Sequence, residues 1–438
     1  MSRVRVCAVQ LAAGSSVDAN LAACLRLLAR AGREAPNLVV LPEFCNHLSW
    51  YESRDHAYEV SVELDGPFLG AIAAAAKDIN AHVVVNCTVR RPGRRVTGTS
   101  LLFGPDGKLL GTADKQVLMG HENDFLDRAV ANAPIVETPV GRLGLYACMD
   151  GVIYETPRSL ALRGADVLCN SLNSFATDEA SLHVPVRAAE NRVFVVAANK
   201  VGPLIPEALL TPVSQATSIP EHFLYGAGES QIVSPTGEVL AKAPRSGEAV
   251  ITADIDLTEA RAKRRPDGTH VFAERRPGLY TALGEEPRPV LSRAGAPTLQ
   301  AATFVPAHDG PSCLAEVGAG IEEAARAGVE LLVLPELVLF EGGRVAVAAA
   351  DAEARSRAAV ETLRMACARA RQATGRSPHV VTSLALREGE ALRHMGVLLG
   401  DGGVLLEQPQ LHRSERHRWA SPGNELLTAR LPWGRGAL

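Results

Sequence analysis

No lysine follows Lys263 in this 438-residue chain. Any chemistry that needs an ammonium group is therefore excluded from the C-terminal stretch, which carries only arginine and histidine as cationic side chains. Excess charge of either sign is also missing: the formal net charge is -4 and the arginines are scattered, which leaves no electrostatic footprint for nucleic acid or an anionic membrane. No apolar run is long enough to cross a bilayer. The opening segment, Met1 to Gln10, reads as a strand and lacks the apolar stretch and small-residue cleavage site of a signal peptide. Eight cysteines include no Cys-x-x-Cys pair and form no dense disulfide framework, so neither a metal knuckle nor a secreted scaffold is expected, and a reducing cytoplasm is. A small neutral or polar substrate fits this balance, with no nucleic acid, membrane or metal partner.

What is present is ample core material, 47% hydrophobic, enough for two domains. Short Val/Ile/Leu runs alternate with alanine-rich segments. They predict a strand near Val4 to Gln10, a helix near Asn20 to Arg30, a strand near Leu38 to Leu41, a helix near Leu69 to Asp78 and a strand near His82 to Asn86, an α/β pattern. Gly104-Pro-Asp-Gly107 and Ser234-Pro-Thr-Gly237 are hairpin signals between apolar runs, so mixed strand directions are expected.

Three residues far apart in the chain each close a β-like apolar run: Glu43 in Leu-Pro-Glu, Lys115 in Ala-Asp-Lys-Gln and Cys148 in Tyr-Ala-Cys-Met-Asp. Together they are a base, a cation and a nucleophile. A free cysteine has a pKa of about 8.5, so a working thiol needs a neighbouring base or positive charge. Their order, spacing and context resemble the nitrilase superfamily of carbon-nitrogen hydrolases over roughly residues 4 to 260. The most specific stretch is Gly141-Arg-Leu-Gly-Leu-Tyr-Ala-Cys148-Met-Asp150 with the Tyr154-Glu155 and Leu-Ala-Leu-Arg-Gly-Ala-Asp166 that follow. The resemblance implies a four-layer αββα sandwich and a cofactor-free enzyme. In it Cys148 forms a thioester acyl-enzyme, Glu43 is the base in both half-reactions, and Lys115 with the backbone N–H of Met149 stabilises the tetrahedral intermediate. It also implies that Glu122, seven residues after Lys115, orients the substrate or holds the lysine. Glu155, Arg187, Glu190 and Asn191 match positions that look structural, tying helices beneath the nucleophile. His121, His183 and His222 have no base context.

Proline, glycine and charge concentrate at residues 284–297, the expected linker between a catalytic domain, 1–283, and a second segment, 298–438. That segment begins the pattern again. Glu330-Leu-Leu-Val-Leu-Pro-Glu336 repeats Asn37-Leu-Val-Val-Leu-Pro-Glu43, His379-Val-Val repeats His82-Val-Val, and Pro432-Trp-Gly-Arg435 repeats Pro139-Val-Gly-Arg142, the mark of a duplication. The counterpart of Lys115 falls on Gln408 or Gln410, either of them uncharged, and a counterpart of Cys148 falls past Leu438. The second copy is therefore expected to be incomplete and non-catalytic.

Departures from the family pattern bear on the substrate. Val152 stands where many members carry an arginine, and Ala129-Val130 stands where Pro-Gly is common, although the second copy keeps Pro422-Gly423. Met149-Asp150 after the cysteine, in place of Trp-Glu, favours an amide or N-carbamoyl substrate over a nitrile. Two other readings stand beside hydrolysis: a scaffold or regulatory protein that uses the second copy as its interaction surface, and acyl transfer from the same thioester to an amine. Homo-oligomers are implied by the family, and the second copy could occupy that surface within one chain.

Overall fold

A computed structural model describes residues 3–286, 298–412 and 414–438. They form two compact units, 1–263 and 264–438. Of the expected linker, residues 287–297 lie outside the described residues. Residues 264–283, read above with the first domain, lie in the second unit, where the Arg276 guanidinium donates to Leu411 O at 3.0 Å and Asn424 Oδ1 at 2.6 Å.

The first unit begins with β1 (Arg3–Ala12), β2 (Leu38–Val40), β3 (His82–Arg91), β4 (Arg95–Phe103) and β5 (Leu109–Asp114). The strands β1, β2 and β3 run parallel, and β3, β4 and β5 antiparallel. A second sheet contains β6 (Ile135–Thr138), β7 (Gly141–Ala147), β8 (Val167–Ser171) and β9 (Phe194–Ala198), then, beyond β10 (Lys200–Val201), β11 (Gln231–Val233) and β12 (Val239–Lys242). β10 and β13 (Ala249–Asp256) both pair with β1 in the first sheet. The sheets lie face to face, β1 over β9 and β4 over β7. Helices Val17–Gly32 and Pro67–Asp78 cover the first sheet, and Glu155–Leu162 and Val184–Asn191 cover the second. This is the expected αββα sandwich.

Local chemistry explains the elements. Ser16 caps helix Val17–Gly32 by accepting from Ala19 N, and Pro67 opens the next with its φ already fixed. Because successive strand residues point to opposite faces, Cys7, Val9 and Leu11 meet Leu27, Leu28 and Ile72 under the helices, while Val6 and Ala8 are buried on the other side. Both hairpin signals form turns, Gly107 N bonding Gly104 O and Gly237 N bonding Ser234 O at 2.9 Å each.

The second unit repeats this order. Its strands are β14 (Ala301–Thr303), β15 (Leu331–Val333), β16 (His379–Glu388), β17 (Ala391–Gly400) and β18 (Gly403–Pro409), again three parallel and then antiparallel. Helices Cys313–Arg326 and Ala349–Thr374 bury Ile321, Leu363 and Ala366 with Val380 and Leu384. On the other face lies a hairpin, β19 (Ala429–Leu431) and β20 (Gly434–Gly436), whose Leu431 packs with Leu398. It corresponds to β6 and β7. The second unit is thus a partial copy of the fold.

Leu27 is fully buried between helix and sheet. Leu27→Ala is expected to destabilise the first unit by about 2–5 kcal/mol through lost transfer energy and a residual cavity, read as a lowered urea midpoint at unchanged slope.

Candidate active site

Each of the three predicted residues sits just past the end of a strand. β2 is followed by Leu41, whose N–H bonds Val84 O at 2.9 Å, and by Pro42 and Glu43. Phe44 then takes a left-handed conformation, φ 52°, which is rare for a bulky residue. It is held there by its N–H on Asn86 Oδ1 and by Cys45 N on Asn86 O. Lys115 follows β5 with its N–H on Gly98 O at 2.7 Å. Cys148 follows β7 at φ 45°, ψ -105°, with its N–H directed at Ser171 O, 3.0 Å away. A non-glycine residue in such a conformation persists only when its surroundings over-determine it.

The strand ends bring the side chains together. Lys115 Nζ lies 2.8 Å from Glu43 Oε1 and between 2.8 and 3.0 Å from both oxygens of Glu122. Glu43 is fully buried, and Lys115, Glu122 and Cys148 nearly so. The ammonium donates to Glu122, whose Oε2 also accepts from Met119 N at 3.0 Å. Glu43 faces the same cation off the hydrogen-bond direction, and neither of its oxygens has a hydrogen-bond donor among the described residues. Of the two roles considered for Glu122, the geometry favours holding the lysine.

Electrostatics divide the roles further. Burial would lower the Lys115 pKa, but Glu43 and Glu122 more than offset it and keep the ammonium charged. Desolvation pushes Glu43 up to about 7, assisted by Glu122 and opposed by Lys115. Cys148 is raised well above an ordinary thiol by burial first and then by the charge of Glu43, with Lys115 pulling the other way. Burial thus favours the thiol over the thiolate at Cys148.

Several contributors escaped the sequence reading. Asp150 accepts from Val117 N at 2.8 Å, Gln116 N at 3.1 Å and Ala147 N at 3.4 Å. It thereby ties the segment after Lys115 to the cysteine turn, and its place two residues after Cys148 was the available signal. Lys200 is fully buried with no hydrogen-bond partner for Nζ, and desolvation lowers it to about 8. The Glu179 side chain is buried, accepts from Ser174 Oγ through Oε2, and is raised by desolvation to about 7. Arg187 braces the turn after Cys148: it donates to Gly151 O at 2.7 Å, Val152 O at 3.1 Å and Glu190 Oε1 at 2.6 Å. Asn191 Nδ2 bonds Arg187 O at 2.9 Å. The three histidines stand apart, His121 on Ser49 O, His183 near Asp178 and His222 against Phe223.

The carbon-nitrogen hydrolase family model matches residues 5–265. The chain belongs to that family. Its relatives include a nitrilase of Pyrococcus abyssi, 29% identical over 60% of this chain and 93% of that protein. Another is the N-carbamoylputrescine amidase of Arabidopsis thaliana, 26% identical over 64% of this chain and 95% of that one. Among solved structures, the C. elegans NitFhit protein superposes with a TM-score of 0.55 at 24% identity, over 64% of this chain and 67% of its own. No helix among the described residues of this family member is long and apolar enough to cross a membrane.

Strand register also settles the counterpart of Lys115. Gln410 N bonds His394 O at 2.8 Å as Lys115 N bonds Gly98 O, and Gly423 N bonds Gln410 O at 2.9 Å as Ala129 N bonds Lys115 O. Gln408 instead ties a loop, through Glu425 O and Leu427 N. Gln410 is the counterpart.

The raised carboxyl of Glu179 has a definite consequence for stability. Its folded pKa of about 7 exceeds the ordinary 4.5, so over that interval the folded state holds a proton that the unfolded state has lost, and stability falls as pH rises. Glu179→Gln is expected to flatten the decline in Tm between about pH 5 and pH 7, measured by thermal scans of both proteins across that range.

Proposed function

We propose that this chain is a cysteine-dependent hydrolase that cleaves a non-peptide amide or N-carbamoyl bond of a small molecule. The observation that carries the reading is the buried Glu43–Lys115 contact of 2.8 Å within the electrostatic reach of a thiol on a strained turn. In the first half-reaction Glu43 takes the Cys148 proton as sulfur attacks the carbonyl carbon. The developing oxyanion is met by Lys115 Nζ and the Met149 N–H, and one such donor is typically worth about 3–4 kcal/mol. Glu43 then passes its proton to the leaving nitrogen, the carbon–nitrogen bond breaks, and ammonia or an amine departs from a thioester. In the second half Glu43 removes a proton from water as it attacks the thioester, and collapse returns the proton to sulfur and frees the acid.

Glu122 serves in this scheme by holding Lys115, which leaves Glu43 free to move protons. Met149-Asp150 and the likeness to an N-carbamoylputrescine amidase support an amide or carbamoyl substrate. The second unit takes no part, since Gln410 offers no charge at the lysine position. All eight cysteines are buried and unpaired, which fits a reducing compartment.

Ammonia release from short amides, ω-amides, N-carbamoyl amines and nitriles tests the reading. The intact chain is expected to turn over at least one amide or N-carbamoyl compound, and Cys148→Ala none. In Glu43→Gln the rate should fall by about 10²–10⁴. Because Glu43 must be ionised to act as the base, the rate of the intact chain should rise with pH through about 7. Preference for nitriles would overturn the substrate class. Turnover that survives in Cys148→Ala would overturn the mechanism.

A further inference from the structure

The second unit kept the scaffold of this site and changed its side chains. Leu334 N bonds Val381 O at 2.9 Å as Leu41 N bonds Val84 O, and Leu337 takes φ 48° as Phe44 takes 52°. Glu336 therefore occupies the position of Glu43. Gln410 occupies that of Lys115, and His417 follows it by seven residues as Glu122 follows Lys115. His394 holds the position of Gly98. Where the first unit sets one ammonium between two carboxylates, the second sets one carboxylate against two imidazoles and, having no lysine, offers no ammonium.

Those three side chains converge, with a ligand atom from each lying within 4.8 Å of the others. His394 and His417 are each only 4% exposed. The Nδ1 of His394 donates to Gln410 Oε1 at 3.0 Å, which leaves a lone pair on Nε2. Among the described residues that Nε2 has no hydrogen-bond partner, nor does either ring nitrogen of His417. Glu336 is the nearest anion, at 3.8 Å from Nε2 of each ring and beyond hydrogen-bond reach. Buried imidazole nitrogens without partners are costly unless something bonds them.

We propose that Glu336, His394 and His417 form a binding site for a divalent first-row transition ion, with zinc the expected occupant. Two imidazoles and one carboxylate are a recurrent donor set for zinc with an open fourth position. Donors about 2.1 Å from a tetrahedral ion lie roughly 3.4 Å apart, against 3.8 Å from each imidazole Nε2 to its own oxygen of Glu336 and up to 4.8 Å across the set, so binding needs a closing movement. Glu336, whose side chain is 47% exposed, is free to make it. Gln410 acts as the outer partner that fixes the ring of His394. A cavity of about 460 Å³, which Glu336, Thr382, His394 and Gln410 help to line, leaves room at the open position for water. This site lies wholly in the second unit and does not depend on the hydrolase reading.

Equilibrium dialysis of the chelator-stripped intact chain against zinc, with cobalt(II) absorption as a second readout, tests the assignment. One ion per chain is expected, with a cobalt spectrum of nitrogen and oxygen ligation. Cys148→Ala should leave the stoichiometry unchanged, which separates this site from any binding at the thiol. Glu336→Gln, at a half-exposed position that the fold tolerates, should weaken binding at least tenfold. His417→Gln should abolish it, with circular dichroism used to verify folding, and zinc should raise Tm in the intact chain but not in His417→Gln. The proposal is overturned if the intact chain takes up no zinc, if Glu336→Gln and His417→Gln bind it as the intact chain does, or if Cys148→Ala alone loses it.

Discussion

Everything at the candidate active site depends on one ammonium shared between two buried carboxylates. Lys115 would be expelled or neutralised in so dry a place without Glu43 and Glu122, and Glu43, already pushed up by burial, would be held higher still without Lys115. A buried set of this kind is not cheap stability, since desolvation consumes much of the attraction. Its value lies in the division it creates. One carboxylate is saturated by hydrogen bonds and fixes the cation, while the other feels the same charge with both oxygens unbonded.

That division must be built to fractions of an ångström from three separate strands. The antiparallel register of β4 and β5 sets the Lys115 backbone, the left-handed Phe44 turns the chain after Glu43, and Ser171 O receives the N–H of Cys148. Asp150 joins two of these pieces by accepting from the backbone of Val117 after Lys115 and of Ala147 before Cys148. The αββα sandwich is therefore less a container for the site than a device that aligns three strand ends with one another.

Much of this was legible in the sequence, for stateable reasons. Alternating apolar runs and helical stripes reveal the α/β order, and Gly104 to Gly107 reveals the hairpin that delivers Lys115, because turns and periodicities are local. Glu43, Lys115 and Cys148 could be singled out because each closes an apolar run. The role of Glu122 stayed open between two readings, since which partner a carboxylate meets is decided by the path of the chain between 115 and 122. Lys200 and Glu179 were missed because burial of a charged residue leaves no local trace. The division of the compact units at 263 has no local signature, because Arg276 takes its partners more than a hundred residues downstream. His394 and His417 stand too far apart for any spacing rule, and Gln410 is distinguished from Gln408 only by the register of β17 and β18.

The bend shared by Phe44 and Leu337 has a wider meaning. Two bulky and dissimilar side chains accept the same unfavourable backbone conformation, each just after a glutamate at the edge of a parallel strand. The bend is thus inherited from the sheet and not from the chemistry beside it. A duplicated gene with such a framework can rewrite its pocket one codon at a time, from a site that carries its own cation to one shaped around a borrowed one, without having to discover a new way to fold.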